Sequence, residues 1–168
     1  MPLRSRNHDS RLLPDDAHWM ELALEQAQLA QQAGEVPVGA VVIRDGEILG
    51  RGFNRNLLDK DPTAHAEIVA LRLAASRLRN HRLPGCVLVC TVEPCAMCAG
   101  AMIHARVARL VFGASDPKAG AAGSVLQVVN HPQLNHRMEV TSGVLADQCS
   151  ELLKAFFAER RKRLDVEM

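Results

Sequence analysis

A three-layer α/β/α domain built on a mixed five-stranded sheet is the fold this sequence predicts, and three observations carry the expectation. Short apolar runs rich in Val, Ile and Leu alternate with segments of helical period along the chain. Asp45-Gly46 lies between two of those runs, a strong short-range signal for a tight antiparallel turn. From the second run onward the order is strand, helix, strand, helix, strand, which implies parallel pairing through right-handed crossovers. One hairpin feeding parallel units makes a mixed sheet, and helices must cover both of its faces.

The elements follow in order. Met1 to Pro14 carries some positive charge with no apolar core behind it, so it reads as a flexible extension and not as a secretory signal. Residues 15–168 then form one domain, long enough for a proper core. Trp19, Met20, Leu22, Ala23, Leu24, Ala27, Leu29 and Ala30 recur with helical period and stop before Gly34. The hairpin occupies 38–43 and 48–53. A helix is expected through Ile68-Val69-Ala70-Leu71, a strand over 87–92, and a second short helix after Pro94. A strand over 109–112 comes next, then a Gly-rich loop over 113–124, a strand over 138–141 and a closing helix over 146–163. No internal repeat or low-complexity segment interrupts this order.

Composition narrows the function classes. Apolar residues make up 48% and charged residues 23%, ordinary for a water-soluble globular chain, and no apolar run approaches a membrane span. The formal net charge is only +1, so any nucleic-acid contact must come from a local patch. One Trp, four Phe and no Tyr argue against a sheet that stacks bases on exposed rings. Five cysteines show no disulfide framework, which suits a reducing cytoplasm. Cys86 and Cys90 flank or sit in a buried strand and Cys149 lies on a late amphipathic helix, so all three read as small buried hydrophobes.

The chemistry lies in two short motifs. His65-Ala66-Glu67 is followed, after a strand-length interval, by Pro94-Cys95-Ala96-Met97-Cys98. One imidazole and two thiolates are three zinc ligands, and three protein ligands leave a position open for reaction where structural sites close with four. Asp61-Pro62-Thr63 predicts a helix start with Pro62 in its first turn, placing His65 and Glu67 in the first turns of that helix. Pro94 would open the second helix, with Cys95 and Cys98 an i,i+3 pair on one face. Helix N-termini favour negative charge and so help thiols to ionise. A C-x-x-C pair alone could be redox-active, but here Pro precedes the first Cys and does not separate the two. Glu67 adds nothing to metal holding, so its carboxylate is the natural group to move protons.

Together these motifs form the pattern H-x-E…P-C-x-x-C, which resembles the zinc-deaminase signature. Longer blocks narrow the resemblance. Gly34-Glu35-Val36-Pro37-Val38-Gly39-Ala40-Val41, Gly52-Phe53-Asn54-Arg55, Asp61 to Ile68, Glu93 to His104, Val111-Phe112-Gly113-Ala114, Gly120-Ala121-Ala122-Gly123-Ser124 and Asn135-His136-Arg137 are similar to the bacterial tRNA-specific adenosine deaminases, the TadA family. The likeness runs from about Asp16 to Arg163. It implies a cytidine-deaminase-like fold, one Zn2+ per subunit on His65, Cys95 and Cys98, and Glu67 as catalytic proton shuttle. It further implies attack of a zinc-activated hydroxide on C6, loss of ammonia, and conversion of adenosine to inosine at the wobble position (anticodon position 34) of an arginine tRNA by a cytoplasmic homodimer.

The resemblance also assigns substrate contacts. Asn54 would hydrogen-bond the flipped nucleotide; on its own it reads as a turn residue after a strand. Ala66 would line the base pocket. Asp116 would lie beside the sugar, where a carboxylate can accept from a 2′-OH, although Asp116-Pro117 is also a turn signal. Ser115 departs from the Arg common there in the family. Phe156, Arg160 and Arg161 belong to an RNA-gripping C-terminal helix; unaided, the run Glu159-Arg160-Arg161-Lys162-Arg163 is equally a solvated last turn. His104 either lines the RNA groove or is structural. Two rivals remain open at this level, a zinc deaminase of a free guanine or cytosine base or nucleoside, and a non-catalytic zinc subunit that only binds tRNA.

Overall fold

Residues 15–168 are described by the computed structural model, and the 1–14 extension lies outside the described residues. In chain order the elements are α1 (Asp16–Gln32), β1 (Gly39–Arg44), β2 (Glu47–Phe53), α2 (Ala66–Leu78), β3 (Val87–Val92), α3 (Ala96–His104), β4 (Arg109–Ala114), β5 (Glu139–Thr141) and α4 (Ala146–Glu167). The α/β expectation holds. The sheet order is β2-β1-β3-β4-β5, with β1 antiparallel to both β2 and β3, and β3-β4-β5 parallel.

Side-chain alternation along the strands sets the layers. Ala40 and Val42 of β1, Leu88 and Cys90 of β3, and Leu110 and Phe112 of β4 pack with α2 and α3. Val41, Ile43, Val89 and Val111 face the other way, onto Met20, Ala23 and Leu24 of α1 and Cys149 of α4. Helices α2 and α3 therefore share one face of the sheet, and α1 and α4 the other. Fully burying a side chain such as Leu88 stabilises by about 2 kcal/mol, so the strands contribute to both cores at once.

One pairing differs from the sequence reading. The strand–helix–strand run suggests β2 beside β3, but β1 lies between them. The reason is burial. Five of the six β1 residues are buried, whereas β2 leaves Glu47 and Arg51 exposed and serves as the edge. The Asp45-Gly46 turn has positive φ at both residues (51° and 75°), the two-residue geometry that the dipeptide favours.

Two features fix the elements that carry the site. Gly50 and Gly52 lie under α2, where an added Cβ would stand 2.3 Å from the Ala70 carbonyl oxygen and 2.4 Å from that of Ala66. Their bare backbone lets the start of α2 sit directly on the sheet. On the opposite face, Arg109 donates to both carboxylate oxygens of buried Asp16 (2.8 and 2.6 Å) and to Thr141 Oγ1 (2.8 Å). That bidentate pair clamps the first turn of α1 to β4 and β5.

Candidate active site

Both helices start later than the proline signals suggest, and the shift builds the site. Asp61 spends Oδ1 on the Thr63 backbone N–H (2.8 Å) and hydroxyl (2.7 Å), closing a local turn before any helix begins. Helix α2 starts at Ala66, and His65 is its N-cap, with extended backbone (φ −71°, ψ 154°). Cys95 holds the same place on α3 (φ −74°, ψ 175°), with Pro94 outside the helix. An N-cap side chain ordinarily accepts a hydrogen bond from its own helix. Neither His65 nor Cys95 does so, and their side chains turn towards each other instead.

The His65 Nδ1 atom faces Cys98 Sγ at 3.4 Å and Cys95 Sγ at 3.6 Å, and the three ligand atoms all lie within 4.8 Å of one another. Among the described residues this is the group whose geometry could hold a metal ion. Two sulfurs and one imidazole nitrogen are a borderline-soft donor set, which fits zinc. Contact with Cys98 and then with His65 pushes the Cys95 thiol down to about 3, against burial. The neighbouring Cys95, together with burial, drives the Cys98 thiol upward. A cation bound between the two sulfurs is what would let both ionise. His65 is raised, chiefly by Cys95 and against burial, with the Glu67 carboxylate adding to the rise.

Glu67 is the second residue of α2 and only 4% exposed. Burial raises its carboxyl, while hydrogen bonds from Cys98 and from its own backbone N–H, and the charge of His65, pull the other way. A buried carboxyl held above its usual range beside a candidate metal site is placed to exchange protons with a group bound there.

The remaining expected residues fall into four groups. Asn54 and Ala66 adjoin the cluster: Asn54 Oδ1 accepts from the Ala66 backbone N–H (2.9 Å) at the first position of α2. Asn54 thus ties the end of β2 to the start of α2, and its Nδ2 makes no hydrogen bond among the described residues. Asp116 lies in the loop after β4, where its Oδ1 accepts from the N–H groups of Lys118 (3.0 Å) and Ala119 (3.2 Å) in an Asp-Pro turn. His104 is the last residue of α3, eight residues and about 12 Å of helix from its start, and exposed.

Phe156, Arg160 and Arg161 stand on α4. Phe156 is half-buried near Gln31 and Gly34, with the Arg160 guanidinium 5.5 Å from its ring centroid, and Phe157 is the more exposed of the pair. Arg160 and Arg161 share a groove with Lys118, Lys154, Leu153 and Phe157. The basic run therefore borders the Asp116 loop. Sequence reasoning missed Lys118 and Lys154, which are scattered in the chain and meet only in the fold.

It also missed two buried carboxylates. Glu35 Oε1 accepts from the N–H groups of Leu57 and Leu58 (2.8 Å each) and holds the connection that runs from Asn54 to His65. Glu93 gathers the loop after β4. Burial pushes its carboxyl up, but hydrogen bonds from the Ser124 hydroxyl and from the Ser124, Asp116 and Ala122 backbone N–H groups outweigh burial and leave it below the usual range. The only sequence hint is an acid placed where a strand or helix ends in apolar surroundings.

The chain matches the MafB19-like deaminase family over residues 14–161. It is 50% identical over 153 residues to a tRNA-specific adenosine deaminase of Haemophilus influenzae, covering 90% of this chain and 88% of that one. A tRNA-specific adenosine deaminase of Bacillus subtilis is 42% identical over 151 residues, with coverage of 90% and 94%. Among solved structures, a tRNA:A34 deaminase studied for A-to-I editing at the wobble position of transfer RNA superposes with a TM-score of 0.79 at 45% identity, over 81% of this chain and 99% of that one. A guanine deaminase from Nitrosomonas europaea superposes at 0.73 with 31% identity, over 90% of each chain.

Proposed function

The chain belongs to the tRNA-specific adenosine deaminase family, and on that premise we propose that it converts adenosine to inosine at the wobble position of an arginine tRNA, with release of ammonia. The observation that carries the reading is the meeting of two helix starts, where His65, Cys95 and Cys98 converge beside buried Glu67. Those three residues would hold one zinc ion per subunit. Zinc there supplies positive charge that lowers the pKa of water from about 15.7 towards about 7.

The chain's own residues account for the rest. Glu67 accepts one proton of the attacking water and passes it to a ring nitrogen as the oxygen adds to C6; it then carries the remaining hydroxyl proton to the amine as the C6–N bond breaks and ammonia leaves. Positioned acid–base groups of this kind contribute about 10²–10⁴-fold in rate. Asn54 has its Oδ1 committed to the Ala66 N–H, so it offers the base its Nδ2 donors. Ala66 is fully buried, so it would shape the base pocket from behind. Asp116 has Oδ2 left to accept from a ribose 2′-OH, while Phe156, Arg160 and Arg161 hold flanking RNA. His104 would meet the RNA groove only from the far end of α3. The enzyme would act as a cytoplasmic homodimer, a reading carried by the family alone; among the described residues no helix is long and apolar enough to cross a membrane.

Identity favours the RNA substrate over a free base, at 42–50% for the two tRNA-specific relatives against 31% for the guanine deaminase. The test offers the protein an arginine tRNA with adenosine at the wobble position and, separately, free adenosine, guanine and cytidine. Inosine at that single position, with no ammonia from the free compounds, is the expected result. Ammonia from guanine or cytidine with untouched tRNA would keep the site and overturn the substrate.

A further inference from the structure

Glu93 directly follows β3, two residues before Cys95, and is 3% exposed. Every side-chain hydrogen bond it accepts comes from one loop. Oε1 accepts from the Asp116 N–H (3.1 Å) and the Ser124 hydroxyl; Oε2 accepts from the N–H groups of Ala122 (3.0 Å) and Ser124 (3.1 Å). The adjacent Pro94 carbonyl takes the Ala121 N–H at 2.8 Å. A Cβ added to Gly120 would stand 2.3 Å from Glu93 Oε2, so the loop passes the carboxylate as bare backbone. A buried carboxylate is costly unless its oxygens are satisfied, and here loop donors separated by 23 to 31 residues in sequence satisfy them.

We propose that Glu93 is a positioning residue for substrate: it locks the 116–124 loop in register with the turn that carries Cys95, and so holds Asp116 where it would meet the sugar of the nucleotide over Glu67. The inference rests on the tRNA deaminase reading. The Glu93 carboxylate bonds Asp116, Ala122 and Ser124 and none of His65, Cys95 and Cys98. Its effect reaches the substrate through the loop, and so belongs to binding more than to the chemical step.

The experiment compares wild type with Glu93→Gln, whose amide would aim N–H at N–H and break the clasp on one side. Zinc content should stay at one per chain, and the KM for the arginine tRNA should rise about tenfold while kcat falls less than about threefold. Ser124→Ala removes one donor and leaves the carboxylate, so it should move KM the same way by a smaller factor, and it decides the question if the first variant does not fold. Unchanged KM in the variant that folds, or loss of zinc or of kcat at constant KM, would overturn the inference. Wild type that makes no inosine would instead refute the tRNA reading beneath it.

Discussion

His65 and Cys95 sit at the starts of α2 and α3 with their side chains turned inward, whereas Arg160 and Arg161 stand in solvent on α4. The first pair is held from several directions: Gly50 and Gly52 seat α2 on the sheet, Asn54 fixes its first N–H, and Cys98 closes the cluster. The second pair has few constraints. Cys149 is the only buried residue of α4, so its last turns extend beyond the core. Chemistry needs atoms fixed to within about half an ångström, and a buried, doubly anchored cluster supplies that. Phosphate contact needs only charge in the right place, which an exposed helix provides and which salt can screen.

Substitutions can break that contrast or sharpen it. The largest effect is expected from Glu67→Ala, which should keep zinc and lower deamination by about 10³-fold, read as inosine per metal-loaded chain. Loss of zinc on that change would remove the proton-moving role. Cys98→Ser should release the metal, and so should Cys95→Ser, by elemental analysis after gel filtration; full occupancy in either would break the three-ligand assignment. Arg109→Met tests burial away from the metal. Removing one partner of the buried pair with Asp16 should cost about 3 kcal/mol by urea unfolding, with normal zinc in the folded protein. A cost under about 1 kcal/mol would show that the clamp on α1 is dispensable.

On the exposed side the expected effects shrink. Arg160→Ala with Arg161→Ala should reduce the slope of log K for tRNA against log salt by about 1.5, the share of two phosphate contacts. An unchanged slope would make the run a solvated helix end. Leu164→Ser, at a position 60% exposed, should change stability by less than about 0.5 kcal/mol. A larger loss would mean that α4 is covered in solution, by a second copy in the first instance.

Metal chemistry demands particular residue types at particular spacing, which is why His65, Glu67, Cys95 and Cys98 are legible in the chain. The layers are legible for a similar reason, since alternation in β1, β3 and β4 assigns each side chain a face. Local punctuation misleads by a few residues. Pro62 marks a turn that Asp61 closes on Thr63, and the helix waits until Ala66. The inner place of β1 follows from its unbroken burial, which a reading by connection order overlooks. Glu93 is hardest to read, because all its partners but the Ser124 hydroxyl are loop N–H groups, and backbone donors leave no mark on residue identity.

The separation of chemistry from grip is tested most directly by single-turnover deamination of the arginine tRNA, following inosine against enzyme concentration for wild type and for Arg160→Ala with Arg161→Ala. The account predicts the same rate at saturating enzyme and a half-saturation point about tenfold higher in the variant. A lower rate at saturation would place α4 within the chemical step and contradict it.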